Sequence, residues 1–322
     1  MKRLLLIFLL IFQIAPLWAI DLLDLRVFPI FTSSSIAFNG TIVSNRYKVD
    51  GTGLRARFSG LRSKWLSSGT VTLEFDNQQI AVDIKDGEFS GIVKVASLAS
   101  FTLRVYHAQR ELYKENFSFP DHVDFLVVSD IDDTILVTEV NNRLKMAYNS
   151  MLKSSDKRKT FAGVPDLYRD IAADATNLGK PHFIYLSSSP AFLSRSLKKF
   201  LVQNNFPPGT LLLKKSLTSG DHTDHKTSWL NKISTTYDKM PMLLLGDSGE
   251  KDPGIYRSFA ENKAHTPLVK GIIIHEVTGN RKKIALLQKY REFLNNTFHI
   301  PFIYWREVDD LKQQMRDDGL LK

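Results

Sequence analysis

Three short polar segments of this sequence each follow a run of apolar residues, and their side chains could do acid–base, nucleophilic or metal chemistry. "DIDDT" (130–134) follows "FLVVS", "SSSP" (187–190) follows "FIYL", and "DSGEKD" (247–252) follows "MLLLG". Short continuous apolar runs are typical of buried parallel strands, and ligands of open α/β sheets bind beyond the carboxyl ends of those strands. We therefore expect the three segments to meet at one edge of a sheet.

The first segment carries two carboxylates, and they are two residues apart. Asp130 and Asp132 can face the same side of an extended backbone, where they repel each other unless a cation or a shared proton is present. An oxygen-only site with few protein ligands suits Mg²⁺, which keeps waters and bridges to phosphate. An EF-hand loop does not fit, because Ile135 stands where the turn glycine is required. The competing interpretation is a turn that two aspartates shape without any ligand.

The third segment has two interpretations that predict different chemistry. Its Gly-Asp-Ser-Gly suggests a serine-protease nucleophile at Ser248, whereas its two aspartates, Asp247 and Asp252, suggest a metal site. A protease site needs a histidine and an aspartate oriented around the serine, and here the segment continues with Glu250 rather than another glycine. The metal interpretation is favoured, because Asp247 could supply a further oxygen to the cation between Asp130 and Asp132.

The serines of the second segment fit an anionic ligand. Ser187 follows its strand directly, and Ser189-Pro190 has the N-cap and first-turn residues of a helix start. Free N–H groups near Ser188 and Ser189 would then suit a phosphate. A helix cap without a ligand is the alternative interpretation.

A phosphate site also needs a fixed cation, and Lys226 opens a predicted helix in "DHTDHKTSWL". Other lysines lie nearby in the sequence, so the position of Lys226 alone is weak support. His222 and His225 are spaced i, i+3 and could share a metal, but no third partner is evident and we interpret them as loop residues.

The elements that must position these groups differ between two halves of the chain. Residues 20–118 alternate apolar and polar residues, as in "TVTLEF" and "FTLRVYH", with turn residues between the runs, which indicates an antiparallel sandwich. From Asp124 onward, apolar runs alternate with amphipathic stretches, which indicates a parallel sheet with helices on both faces. We predict a β-sandwich-like domain over 20–118, a junction at "FPDHVD" and an α/β domain over 124–322.

The N-terminal residues have the pattern of a targeting segment. "MKR" is a basic start, and the apolar stretch that follows ends at the small residue Ala19 and is shorter than the ~20 residues of a membrane span. We predict a signal peptide over 1–19 and an exported protein, periplasmic or secreted, that can associate with a membrane. An uncleaved anchor is the alternative.

Composition narrows the chemistry further. The chain has no cysteine, which excludes disulfides, thiolate nucleophiles and cysteine-type zinc sites. Its formal net charge of +9 favours anionic partners in general, without identifying one.

Taken together, "DIDDT", the serine ending "FIYLS", Lys226 and "GDSGEKD" are similar to the four motifs of haloacid-dehalogenase-type (HAD) phosphatases. The longer segments "VVSDIDDTI", "FAGVPDLYRDI", "FIYLSSSP" and "LLLGDSGEKDPGIY" resemble the catalytic domain of the actin-patch phosphatidate phosphatases of fungi and their bacterial relatives, with lipins as distant relatives. The resemblance covers about residues 124–278. It implies an α/β fold, a HAD-like Rossmannoid parallel sheet without a large cap, preceded by a smaller β-sandwich domain.

The resemblance implies a role for each motif residue. Asp130 would be the nucleophile that forms an aspartyl-phosphate, and Asp132 would be the acid that protonates the leaving alkoxide and then the base that activates water. Ser187, Ser188 and Lys226 would hold the phosphoryl oxygens.

The resemblance also implies a Mg²⁺ site. The cation would be bound by Asp130, Asp247 and the backbone carbonyl of Asp132. Asp252 would be a further carboxylate of the site, binding directly or through water.

The spacing between the motifs leaves no room for a large cap domain. Thr134 and Ser187 are separated by space for two helices, around 141–152 and 164–173, and one strand. An open site suits substrates presented on a surface. A basic segment beside Phe161 could also hold an anionic membrane surface, although a solvated loop is the alternative; its cations are Lys153, Lys157, Arg158 and Lys159.

We therefore predict a Mg²⁺-dependent phosphatidate phosphatase that hydrolyses phosphatidate, or another lipid phosphate, to diacylglycerol and phosphate. Nucleic acid is not an expected partner. One alternative is the same chemistry on a soluble phosphomonoester or a phosphoprotein. The other is a phosphatidate-binding module without catalysis, which is expected to lack the acid–base carboxylate that Asp132 supplies here.

Overall fold

The computed structural model describes residues 19–45, 64–76, 78–137, 159–173, 176–214 and 222–322. The predicted signal peptide, the predicted helix around 141–152 and the basic residues Lys153, Lys157 and Arg158 lie outside these ranges. In the described part of the chain, no helix is long and apolar enough to cross a membrane.

The N-terminal half forms a single antiparallel sheet of eight strands. These are β1 (Ala19–Ile30), β2 (Ser35–Asn45), β3 (Lys64–Trp65), β4 (Ser68–Phe75), β5 (Gln78–Lys85), β6 (Glu88–Lys94), β7 (Phe101–His107) and β8 (Arg110–Phe117). Their order is β1-β2-β6-β5-β4-β7-β8, and β3 pairs with β2. The alternation of the sequence becomes one buried face, as in β7, where Phe101, Leu103 and Val105 are buried.

The two ends of this sheet approach each other. Leu25 and Val27 of β1 line the same small cavity as Phe117 of β8. The buried face encloses one core in which the rings of Phe38 and Phe89 pack against each other. Gly40 is required beside them, because a Cβ there would lie 2.1 Å from the Phe89 ring. The sheet is therefore curled and nearly barrel-shaped.

The C-terminal half contains a parallel sheet of six strands, each hydrogen-bonded to its neighbours in the order β11-β10-β9-β12-β13-β14. These are β9 (Phe125–Ser129), β10 (Pro181–Pro190), β11 (Gly209–Lys214), β12 (Met242–Asp247), β13 (Val269–His275) and β14 (Phe302–Trp305). Every residue of β9 and β12 is buried, because both faces of the sheet are covered.

Helices of the described segments cover the two faces. On one face lie α1 (Val164–Ala172), α2 (Ser194–Gln203) and α6 (Val308–Asp317), and on the other lie α3 (His222–Thr236), α4 (Asp252–Glu261) and α5 (Arg281–Phe298). Successive residues of β9 alternate between the two cores: Val127 packs on the first face and Val128 on the second.

The two sheets meet along β1 and the edge strand β11. The Thr210 hydroxyl donates to the carbonyl of Val27 (2.8 Å), and the Arg26 guanidinium donates to the carbonyl of Leu213 (3.2 Å). Leu23 and Phe28 of β1 enter the two cores of the parallel sheet. The antiparallel sheet is thus packed directly against the edge of the parallel one.

The predicted fold class is wrong. The structure is mixed: a large, nearly barrel-shaped antiparallel sheet stands beside a separate parallel sheet, rather than a small sandwich preceding a HAD-like Rossmannoid domain. Alternating residues specify strands with one buried face, but two facing sheets and one curled sheet satisfy the same pattern. The antiparallel sheet is also the larger of the two, with eight strands against six, and its strands β1 and β2 are 12 and 11 residues long.

Candidate active site

The first group of the site lies in the turn that follows β9. Asp130 is the residue after the strand, is 1% exposed, and donates its N–H to the carbonyl of Leu245 (2.8 Å) on β12. The Thr134 hydroxyl lies 3.3 Å from Asp130 Oδ2. Asp133 adopts a left-handed conformation with φ of 57°, which aspartate tolerates better than most residues and which lets the chain turn sharply. The turn places the carboxylates of Asp130 and Asp132 beside different neighbouring side chains.

Lys226 connects the strand ends through its ammonium group. It is 1% exposed, and Nζ donates to Asp130 Oδ1 (2.8 Å) and Asp252 Oδ1 (2.5 Å), with Glu250 Oε2 at 3.5 Å. Burial by itself lowers the pKa of Lys226, but the attraction of Asp130, Asp252 and Glu250 outweighs it and raises the pKa well above its usual value. The group is therefore a permanent cation in the site.

Three aspartates form a buried acidic triad next to this ammonium. Asp130, Asp247 and Asp252 each place a carboxylate oxygen within 4.8 Å of the others. Asp247 Oδ1 accepts the N–H groups of Gly249 and Glu250. The other oxygens, Asp247 Oδ2 and Asp252 Oδ2, are buried and have no hydrogen-bond partner among the described residues.

The close packing of the triad explains why residue 246 is a glycine. A Cβ at Gly246 would lie 2.6 Å from Asp252 Oδ2 and 2.8 Å from the ring of Tyr256. Glycine at this position lets the start of α4 approach the end of β12, which is how Asp252 reaches Asp247.

Among the described residues, the negative charges of the triad exceed the positive charge that contacts them. Asp130, Asp247, Asp252 and Glu250 surround the single ammonium of Lys226. Burial raises the pKa of each aspartate, and the neighbouring carboxylates add to the increase while Lys226 opposes it. A hard divalent cation fits this set, because it would bind the unpartnered oxygens and neutralise the excess negative charge. The triad could therefore hold a metal ion.

Asp132 has a different environment. Its Oδ2 accepts hydrogen bonds from the hydroxyls of Ser187 and Ser189, both at 2.9 Å, and its Oδ1 is buried without a partner in the described part of the chain. Burial raises the pKa of Asp132 to about 6, the charge of Glu250 adds to the increase, and the two hydroxyls oppose it. A carboxyl group with this pKa can exchange a proton near neutral pH. Its carboxylate lies outside the triad, beside the serines.

The serine segment differs from its prediction in several respects. The N–H of Ser189 is not free but donates to Ser187 Oγ (2.9 Å), and the Ser187 hydroxyl donates to Asp132. The predicted helix start at Ser189-Pro190 is wrong, because β10 runs through Pro190, a 3₁₀ turn covers Ala191–Leu193, and α2 begins at Ser194. The Ser189 hydroxyl donates to Asp132 instead of capping a helix. Ser188 Oγ is buried and has no partner among the residues that the structure describes, so it is available to a ligand.

Two further candidates, Ser248 and His225, make structural hydrogen bonds, and the histidines predicted to lie in a loop lie in α3 (His222–Thr236) instead. The Ser248 hydroxyl is buried and accepts the N–H of Val277 (3.0 Å), so the Gly-Asp-Ser-Gly serine has a structural bond. His225 Nε2 lies 3.2 Å from the carbonyl of Ser187, and burial lowers the pKa of His225 to about 4, so a neutral ring can donate to that carbonyl. The side chain of His222 lies outside the described residues.

His275 was missed by the sequence analysis. Its Nδ1 lies 2.8 Å from the carbonyl of Asp133, and its own carbonyl accepts the N–H of Ser248 (2.8 Å). The ring stacks on Trp305 and meets the edge of Phe161. His275 thus links the turn after β9 to the segment after β12 through these two hydrogen bonds. His275 follows the apolar run "GIII" (271–274). The search for polar residues at the carboxyl ends of apolar runs, which found Asp130, Ser187 and Asp247, would therefore have found His275 as well.

The part of the chain that carries these groups matches a known family. Residues 125–276 match the family model described as Phosphatidate phosphatase APP1, catalytic domain. The chain is 28% identical over 156 residues to Phosphatidate phosphatase APP1 of Saccharomyces cerevisiae and 31% identical over 160 residues to an uncharacterized protein of Schizosaccharomyces pombe. Each match covers 47% of this chain and 25% of the relative, so the chain spans about a quarter of the length of the curated relatives it matches.

Among solved structures, similarity is weak. A chain of the Pnkp1/Rnl/Hen1 complex is 11% identical, with a TM-score of 0.32 over 63% of this chain and 58% of that one. A TM-score at this level supports no argument about the fold or the function.

Proposed function

We propose that this protein is a divalent-cation-dependent phosphatase that hydrolyses phosphatidate through a covalent phosphoryl intermediate on Asp130. The observation that carries the proposal is the convergence of Asp130, Lys226 and the acidic triad at one sheet edge, with Asp132 held beside them by two serine hydroxyls. The match of residues 125–276 to a phosphatidate phosphatase catalytic domain supports it, because all of these residues lie within the matched segment.

In the first step, a carboxylate oxygen of Asp130 attacks the phosphorus atom of the substrate. The bond between phosphorus and the glycerol oxygen breaks, and the protonated carboxyl of Asp132 gives its proton to that oxygen, which releases diacylglycerol. The raised pKa of Asp132, about 6, makes the protonated form accessible near neutral pH.

In the second step, Asp132 acts as a base. It takes a proton from water as the water oxygen attacks phosphorus, the bond between phosphorus and Asp130 breaks, and inorganic phosphate leaves. Ser187 and Ser189 orient Asp132 through both steps, because both hydroxyls donate to the same oxygen of its carboxylate.

The remaining groups hold the phosphoryl group. Lys226 and the hydroxyl of Ser188 would contact its oxygens. A cation held by Asp130, Asp247 and Asp252, which we propose to be Mg²⁺, would neutralise the charge of the phosphoryl group and of the triad. Export and contact of the basic segment with an anionic membrane stay predictions, because they rest mainly on residues outside the described ranges.

The test is phosphate release from phosphatidate vesicles and from p-nitrophenyl phosphate, each with Mg²⁺ and with EDTA. We expect release with Mg²⁺, little release in EDTA, and a preference for phosphatidate. After a rapid acid quench of reactions with ³²P-labelled substrate, the label should be on the peptide that contains Asp130, and an Asp130→Asn variant should carry none.

Four results would contradict parts of the proposal. Full activity in EDTA would refute the need for a cation, and turnover without labelled protein would refute the covalent intermediate. Preference for the soluble substrate would favour a soluble phosphomonoester or a phosphoprotein. Binding of phosphatidate vesicles without release of phosphate from either substrate would indicate a lipid-binding module.

A further inference from the structure

A cleft of about 440 Å³ adjoins the acidic site on the side of α4 and α5. Glu250 and Ser248 line it, and these residues border the site, since Glu250 approaches Lys226 and Ser248 follows Asp247. Apolar side chains form much of the remaining wall; they are Ile255, Leu286, Leu287 and Tyr290. The cleft therefore leads from the charged site along an apolar surface.

Two lysines lie at the boundary between the cleft and the site, beside the carboxylate of Glu250. Lys283 Nζ donates to the carbonyls of Ser248 (2.9 Å) and Gly249 (3.2 Å), and Lys251 also lines the cleft. A ligand that fits this arrangement carries negative charge next to the site and an apolar portion beyond it.

The apolar surface continues along the outside of α5. Leu286, Tyr290 and Phe293 are spaced i, i+4 and i+7, so they share one face of the helix. Leu286 is 44% exposed and Phe293 is 38% exposed, although both are large apolar residues. Tyr290 between them is partly buried, and the Arg257 guanidinium lies over the rings of Tyr290 and Phe293 (4.7 and 4.9 Å), so the exposed apolar surface is greatest at Leu286, which also lines the cleft.

We propose that this cleft binds a hydrocarbon chain of the phosphomonoester whose phosphate lies on Lys226 and the acidic triad. The inference rests on the proposed function and assigns the part of the protein that selects a lipid over a small phosphomonoester. The position of the cleft beside the site supports this occupant, because its wall residues Ser248 and Glu250 adjoin Asp247 and Lys226, so a chain attached to a phosphate at Lys226 would reach the cleft past Glu250. The cations at the boundary match the negative charge at the head of the same molecule.

Gly254 offers a way to close the cleft without disturbing its walls. It lies in the first turn of α4 and lines the cleft, and a Cβ built there meets no heavy atom within 4 Å. A large side chain at this position extends into open space. Ala285, which is exposed on α5 and does not line the cleft, is the matched position for a control.

The experiment compares dibutyryl with dioctanoyl phosphatidate, both used as monomers so that no bilayer is present. The measured quantity is the ratio of kcat/KM for the longer chain to kcat/KM for the shorter one. We expect Gly254→Trp to lower this ratio about tenfold, which corresponds to leaving about two methylene groups in water. Leu286→Gln, at a partly exposed position, should lower it in the same direction, and Ala285→Trp should keep the ratio of the unmodified protein.

A ratio unchanged in both Gly254→Trp and Leu286→Gln would overturn the assignment of the cleft. Thermal unfolding of each variant shows which of them are folded and can be compared. If the unmodified protein releases no phosphate from either lipid, the proposed function fails, and calorimetric binding of dioctanoyl phosphatidate then decides the cleft separately. Weaker binding to Gly254→Trp than to Ala285→Trp supports the cleft, and equal binding overturns it.

Discussion

Two clusters of buried charge among the described residues differ in their balance of charge. Where the two sheets meet, Arg26 pairs with Asp24 (2.8 Å), Arg195 approaches Asp21 (3.3 Å), and Lys214 of β11 is also buried, so the anions there are matched by cations. In the candidate site, four carboxylates face the one ammonium of Lys226, and two of the triad's oxygens have no partner among the described residues.

The difference indicates what each cluster does. In the junction, the guanidinium groups also donate to the backbone carbonyls of Leu213 and Leu22, so the charges hold β1 against the parallel sheet. In the site, burial and mutual repulsion raise the pKa of the aspartates of the triad, and folding alone leaves the negative charge in excess. The junction has enough cations for its anions without a ligand, although Asp24 Oδ1 is buried there without a partner among the described residues, whereas the excess of carboxylates in the site is what a bound cation would neutralise.

The strongest test of this comparison is Asp130→Asn. Activity should fall by a factor of roughly 10⁴ or more, because the proposed nucleophile is lost. Thermal stability without divalent cations should stay equal or rise, because one of the excess negative charges is removed while Lys226 keeps Asp252 and Glu250. Phosphate release and thermal unfolding in EDTA measure the two effects. A large drop in melting temperature would show that the site's charges stabilise the fold, which breaks the comparison.

The junction should respond in the opposite way. Arg26→Met leaves Asp24 buried without its cation and should lower the free energy of unfolding by about 3–5 kcal/mol, while the kcat of the folded fraction is retained. The control is Lys312→Met, which removes the partly exposed pair with Asp170 and should change stability by at most about 1 kcal/mol. Denaturant unfolding measures both. Equal, small decreases in the free energy of unfolding of the two variants would mean that the buried pair stabilises the fold no more than the exposed one.

Variants of His275 test whether activity also depends on its hydrogen bond to the carbonyl of Asp133. His275→Phe keeps the aromatic packing against Trp305 and removes the bond to the carbonyl of Asp133, so we expect kcat to fall by about 10- to 100-fold with little change in KM. Stability should fall by only about 1 kcal/mol. His275→Gln, which keeps an N–H donor, should recover part of the rate. Equal kcat in all three proteins would show that this hydrogen bond does not position the turn after β9.

The smallest expected effect concerns a neutral group in the junction. His182 packs among Phe31, Phe119 and Tyr237, and burial lowers the pKa of His182 to about 3. The unfolded chain binds a proton here near pH 6.5 and the folded chain does not. The contribution of His182 to stability is therefore complete above pH 6.5 and is lost as the pH falls toward 3, by about 2 kcal/mol at pH 5.

The measurement is the free energy of unfolding at pH 7 and pH 5. His182→Gln should lose less stability between the two values than the unmodified protein, by about 2 kcal/mol. The same loss in both proteins would place the acid sensitivity on other groups, such as His225, whose pKa burial also lowers.

Several parts of the site could be predicted because they depend on local sequence. Apolar runs that are buried on both faces end where the polar residues begin, so the sequence located Asp130 after β9 and both Ser187 and Asp247 in the C-terminal parts of β10 and β12. The carboxyl ends of parallel strands share an edge, and this geometry brings Asp130 and Asp247 together.

Contacts between distant segments were decided only by the tertiary structure. Alternation gave the strands of the N-terminal half, but the curling of one sheet depends on how Phe38 and Phe89 fill a shared interior, which a period of two does not encode. Ser189 satisfies a helix-start rule locally, yet its hydroxyl donates to Asp132, which is 57 residues away. Local patterns fix which residues are buried and where strands end, whereas partners across the chain are chosen by packing and by the need to satisfy buried polar groups.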